Sequence, residues 1–172
     1  QIGQDIDGEA SGDKSGRSVS LSSDGNTVAI GAMMNDGNGN AAGHVRIYQN
    51  VGGSWSQIGD DIDGEAAGDI SGVSVSLSAD GYTLAIGAPG HDNGTGHVRV
   101  YNYNGTTWYQ IGNDIDGEAA EDQSGESVSI SADGNTVAIG ARWNDGVGNS
   151  SGLVRIYQNV GGSWSQIGQD IE

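Results

Sequence analysis

Short runs in which bulky apolar residues alternate with small or polar ones recur along this chain, in the same order, three times over. In SVSLS (Ser18–Ser22) Val19 and Leu21 alternate with serine, and in TVAIGA (Thr27–Ala32) Val28 and Ile30 alternate with Ala29 and Gly31. HVRIYQN (His44–Asn50) and WSQIG (Trp55–Gly59) complete the set. Alternation with a two-residue period predicts β-strands, because successive side chains of a strand point to opposite faces. The connections predict the pairing. Asp24-Gly25, Asp80-Gly81 and Asp133-Gly134 each lie between the first two runs of a unit, and Asp-Gly between alternating runs is a hairpin signal because glycine tolerates positive φ. A Gly/Asn-rich loop joins the second run to the third, and VGGS joins the third to the fourth. No stretch reads as an apolar helix of about ten residues or more.

The unit is marked by QIG at Gln1, Gln57, Gln110 and Gln166, a period of about 50 residues that points to a propeller or array. The first and third units share the ending VRIYQNVGGSWSQIG, while the middle unit is shorter in the loop between its second and third runs. Four antiparallel strands per unit make one propeller blade. The expected fold is therefore all-β: a β-propeller of four-stranded antiparallel blades, three per chain, in a single repeat domain over residues 1–172. The blades fall at about 15–59, 71–112 and 124–168, and residues 1–3 form a surplus outer-strand end. A bulky side packed on a small side lets neighbouring sheets approach closely. Trp55, Trp108 and Trp164 recur at one position of the fourth strand and read as packing elements between blades. A β-solenoid fits less well, since its coils are normally shorter than about 30 residues.

Composition narrows the partners. With 23 acidic and 6 basic residues the formal charge is −17, which repels phosphate backbones and makes nucleic acid an unfavoured partner. There is no cysteine, so disulfides and thiolate metal sites are excluded. No stretch approaches the roughly 18 apolar residues of a membrane helix, so membrane insertion is not expected, and no signal peptide is read. The 32 glycines and the absence of phenylalanine fit short strands joined by tight turns.

The run SGxSVSLSxDGNTVAIGAxxxDG, followed by GHVRIY and SWSQIG, resembles the FG-GAP repeats of the integrin alpha-chain N-terminal propeller, in particular the bacterial secreted kind strung in tandem arrays. The resemblance covers the chain three times. It implies a propeller of about six or seven blades and a secreted or cell-surface binding role, without enzyme activity. Two departures matter. Ser15, Ser71 and Ser124 stand where the family has phenylalanine, before Gly16, Gly72 and Gly125. The family's calcium loop, between the first and second strands, is replaced by SSDGNT, SADGYT and SADGNT. A tight turn with one aspartate cannot build a cage of six or more oxygens, so that role does not carry over to Asp24, Asp80 or Asp133.

Candidate chemistry lies in the connections between units, DIDGEASGDKSG, DIDGEAAGDISG and DIDGEAAEDQSG. Asp5, Asp7, Glu9 and Asp13, with Asp61, Asp63, Glu65 and Asp69, and Asp114, Asp116, Glu118 and Asp122, place carboxylates at alternate positions around an Asp-Gly turn. They could converge on calcium or act as turn acids that accept from backbone amides. Strands that run alternately up and down bring these connections and the loop between the second and third strands to the same face. Met33, Met34, His91, Arg142 and Trp143 break the repetition in that loop and are the candidate ligand face, with sugar stacking on Trp143 as one role. His44 and His97 begin the third strand, but Leu153 takes that place in the last unit, so they read as strand-edge packing.

The expected function is a non-catalytic secreted or cell-surface module that binds protein or glycan. The alternatives are a self-assembling structural element, natural or engineered, and a glycoside-processing enzyme. The last is disfavoured because each acid recurs in every unit, whereas a catalytic pair is asymmetric. Three blades cannot close a ring, and open ends would expose apolar faces. Homodimerisation into a six-bladed ring is therefore expected.

Overall fold

The computed structural model describes residues 1–146 and 148–172; Val147, in the loop of the last unit, lies outside the described residues. Three antiparallel sheets follow one another along the chain. The first holds β1 (Ser18–Leu21), β2 (Thr27–Ala32), β3 (His44–Val51), β4 (Ser54–Gln57) and β5 (Ile62–Asp63). The second holds β6 (Ser74–Leu77), β7 (Thr83–Ala88), β8 (His97–Tyr103), β9 (Trp108–Gln110) and β10 (Ile115–Asp116). The third holds β11 (Ser124–Ile130), β12 (Thr136–Ala141), β13 (Leu153–Val160) and β14 (Ser163–Gln166). Each is a blade with its strands in sequence order. The Asp-Gly hairpins register Val19 against Ile30, Val75 against Ile86 and Val128 against Ile139.

The outer strand runs further than the alternation predicts. After β4 the chain bulges at Gly59-Asp60, and Ile62 and Asp63 then return to pair with Val45 and His44 of β3. Ile115 and Asp116 do the same against β8, and Ile171 bonds Val154 in both directions. The DID that sequence assigns to the crossover thus belongs to the blade before it, and the connection proper begins at Gly64 and Gly117. The alternation is broken by the bulge and by flanking charge, so the segment resembles loop although its backbone is paired. The coil at His91–Gly94 is a tight turn in which Asp92 and Asn93 hold φ of 45° and 58°. Among the described residues no helix is long and apolar enough to cross a membrane.

Blades stack bulky face on small face. Val75 and Leu77 of the second blade pack with Ala29 and Ile47 of the first, and Ile130 and Ile139 of the third pack with Ala85 and Val100 of the second. Gly31 and Gly87 mark the closest approach, because a methyl group on either would overlap the carbonyl oxygen of Gly72 or Gly125 in the next blade. Serines satisfy the backbone at these junctions. Ser18 Oγ donates to Gly72 O at 2.7 Å and Ser74 Oγ to Gly125 O at 2.7 Å, while Ser20 Oγ and Ser76 Oγ accept from the amides of Leu77 and Ile130. The repeated tryptophans bridge blades as expected. Trp108 Nε1 donates to Ile58 O and Trp164 Nε1 to Ile111 O. Trp55 Nε1 donates to Ile2 O, so residues 1–3 lie on the first blade where an outer-strand end lies on the other two.

Candidate loop face and histidine cluster

The inter-unit connections and the loops between second and third strands do share one end of the stack. Gly68 N donates to Asn40 O, Gly90 N to Asp69 O and Gln123 N to Gly94 O. Most acids of the connections have a local side-chain partner. Asp5, Asp61 and Asp114 accept from the side-chain amide of the glutamine four residues earlier, at 2.7, 2.7 and 2.6 Å. The carbonyls of Asp7 and Asp63 accept from Arg46 and Arg99 across the blade junction at 2.7 and 2.6 Å. Glu9, Glu65 and Glu118 pair with Arg46, Arg99 and Arg155. The connection is thus tied to the third strand of the following blade by one repeated device, a carbonyl or carboxylate on a buried arginine.

Asp13, Asp69 and Asp122 are buried and hold the two loops together. Asp13 Oδ2 accepts from Ala10 N and from Asn35 Nδ2; Asp122 Oδ2 accepts from Asn144 Nδ2 at 2.7 Å. Asp69 Oδ2 accepts from the amides of Glu65 and Ala66. Its remaining partner is not asparagine but His91, whose Nδ1 lies 3.2 Å away. His91 occupies the position of Asn35 and Asn144 in the repeat, and its ring turns inward and stacks on His97 with centroids 4.1 Å apart.

His97 is fully buried, and neither of its ring nitrogens has a hydrogen-bond partner. Burial, reinforced by the His91 ring and the Arg99 guanidinium, lowers its pKa to about 4, so it is neutral at physiological pH. Asp114 Oδ2 stands 3.6 Å from its Nδ1. Ligand atoms of Glu65, His91 and His97 lie within 4.8 Å of one another, as do those of His97, Asp114 and Asp116. In the first blade His44 has Glu9 and Asp61 within the same range. Among the described residues, five of the twelve acids that sequence placed in the three connections, Glu9, Asp61, Glu65, Asp114 and Asp116, thus fall in clusters around His44 or His97, the third-strand position that sequence read as packing. The signal that marks the second cluster is the single histidine where the other units carry asparagine.

Of the five positions that break the repetition, Met33 and Met34 are half-buried, and Met34 N donates to Asp13 O. Arg142 pairs with Glu126 at 3.3 Å and lies over the Trp143 ring at 5.1 Å. Trp143 is 45% exposed. It lines a cleft of about 460 Å³ between the second and third blades, with Asn93, Glu121, Asp122, Gln123 and Asp145.

Sequential four-stranded sheets stacked face to face, with their loops at one end, define a β-propeller-type repeat protein. The FG-GAP repeat model matches residues 6–48 and 115–157, half of the chain, and the chain belongs to that family. No curated protein matches it. Among solved structures it is similar to a candidate 6-phosphogluconolactonase from Bacteroides uniformis ATCC 8492, at 15% identity and a TM-score of 0.59 over 89% of this chain and 39% of that one. It is also similar to TolB from Acinetobacter baumannii, at 16% identity and 0.51 over 88% and 32%. Hydrazine synthase of Kuenenia stuttgartiensis matches at 12% and 0.54 over 95% and 37%. The chain spans about a third of the length of these structures, and at such identities the likeness is one of fold.

Proposed function

We propose that this chain is a non-catalytic binding module of a secreted or cell-surface protein, completed to a six-bladed ring by a second copy, with the loop face as its ligand surface. The observation that carries the reading is the cleft at Trp143, where a half-exposed aromatic ring is bordered by carboxylates and side-chain amides. A flat ring beside hydrogen-bonding groups suits a polar ligand with an apolar face, and a glycan fits that description. The family and the charge of −17 support a place outside the cell. The acids of the loop face are tied in pairs that repeat from blade to blade, which favours binding over catalysis. Screening the chain against immobilised glycans, with Trp143→Ala in parallel, tests the ligand surface. Binding that falls at least ten-fold in the variant supports the reading; binding unchanged in the variant, or no glycan bound by the wild type, contradicts it.

A second copy is favoured by the two open faces. Val19 and Leu21 on the first blade are 63% and 56% exposed, whereas their equivalents Val75 and Leu77 are 9% and 8% exposed under the preceding blade. At the other end Ser127 and Ser129 are exposed, at the positions where Ser18 and Ser20 meet the next blade. The bulky face thus lacks a small face, and the small face lacks a bulky one. Each copy carries what the other needs.

A further inference from the structure

We propose that Glu65, His91 and His97 form a binding site for one transition-metal dication of the zinc class, set between the first and second blades within a single chain. The donors are in place: their ligand atoms lie within 4.8 Å of one another, and His97 holds two buried ring nitrogens with no protein partner. A buried polar group left unsatisfied costs about 1–3 kcal/mol, and in a native fold such a group calls for a water or an ion. A tetrahedral zinc with nitrogen and oxygen donors at about 2.0–2.1 Å separates its ligands by roughly 3.4 Å. Closing the set therefore takes shifts on the order of 1 Å together with a turn of the part-exposed His91 ring out of its stack on the buried His97 ring, so that the two in-plane lone pairs converge.

The surroundings match the support such sites use. Asp69 Oδ2 lies 3.2 Å from Nδ1 of His91; in the imidazole tautomer that donates Nδ1–H to this carboxylate, the lone pair is on Nε2. Carboxylate–histidine pairs of this kind orient metal-bound imidazoles and raise their basicity. Asp69 is itself fixed by the amides of Glu65 and Ala66. Asp114, 3.6 Å from His97, is a second carboxylate beside the ring. Arg99 approaches Glu65 at 3.6 Å and opposes a cation, but Glu65, Asp69, Asp114 and Asp116 outweigh its single charge. The side chains of Glu65 and His91 are 42% and 27% exposed, which leaves an entry path. Two imidazoles and one carboxylate select zinc, cobalt, nickel or copper over calcium, which needs six or more oxygens.

The repeats supply the control. Asn35 and Asn144 stand where His91 stands and bond the equivalent aspartates, and Leu153 stands where His97 stands. His91→Asn therefore keeps a partner for Asp69, and His97→Leu installs a residue the fold already accepts. The test is calorimetric titration of the chelator-stripped full chain with Zn²⁺ alone, with thermal unfolding followed in parallel and Ca²⁺ as competitor. The expected result is one Zn²⁺ per chain, a higher midpoint when it is bound, no displacement by equimolar Ca²⁺, and an affinity at least ten-fold weaker in His91→Asn, whose metal-free midpoint matches the wild type. No Zn²⁺ binding by the wild type, a loss smaller than ten-fold in His91→Asn, or displacement by equimolar Ca²⁺ would overturn the proposal. If His97→Leu fails to fold, His91→Asn alone decides.

Discussion

Asp24 shows how a single side chain holds a turn between strands. Its Oδ1 accepts from Ser22 Oγ at 2.6 Å and from Asn26 N at 2.9 Å, and Asp133 repeats this with Ser131 and Asn135. The serine hydroxyl, then the asparagine amide, hold both carboxyls below their ordinary value of 3.8. A carboxyl depressed in the folded state contributes stability above its unfolded pKa and loses it as pH falls through the folded one. Asp24→Asn combined with Asp133→Asn should therefore lower stability at neutral pH, and its deficit should shrink as pH drops below about 4. Urea unfolding across that range checks this; a deficit that stays constant would contradict it. The turns were legible residue by residue, since Asp-Gly between alternating runs names its own geometry. His97 was not. Its neighbours come from Glu65, His91 and Asp114, brought together only by pairing β8 with β7 and β10, and a break in repetition at Leu153 argued for plain packing.

At the scale of the element, the strand faces are what sequence shows best. β2 has the bounds that the alternation predicts, Thr27–Ala32, because every second residue is small enough to lie under the next blade. β5 and β10 were hidden, since two paired residues beyond a bulge give too short a pattern to stand out from an acidic loop. Glycine at the junction is the sharpest consequence of the stacking. A Cβ on Gly87 would strike the Gly125 carbonyl of the next blade, whereas on Gly140, the same position in the third blade, its nearest neighbour is the Oγ of exposed Ser127 in its own sheet, a hydroxyl free to rotate away. Gly87→Ala should cost about 1–3 kcal/mol, the range for forced overpacking, while Gly140→Ala should stay within about 0.5 kcal/mol in a single chain. Chemical denaturation at concentrations low enough to keep the chain monomeric separates the two. Equal losses would mean that the blades do not approach as described.

At the scale of the molecule, three blades leave a stack with unlike ends. Residues 1–3 rest on the first blade through Trp55 Nε1 to Ile2 O, where the outer strand of a preceding blade would rest. In a ring this segment and residues 166–168 of the neighbouring copy compete for one slot. Ile171 is held to Val154 by two backbone hydrogen bonds, so the N-terminal segment is the one displaced. Leu21 lies on the open bulky face, where a charge is harmless to one chain in water but costly once the face is covered. The most direct test is therefore the mass of the chain in solution at micromolar concentration, by light scattering, beside Leu21→Asp. The ring predicts twice the 17.5 kDa of one chain for the wild type and a folded species of single-chain mass for the variant. A well-folded wild type of single-chain mass at the same concentration would contradict it.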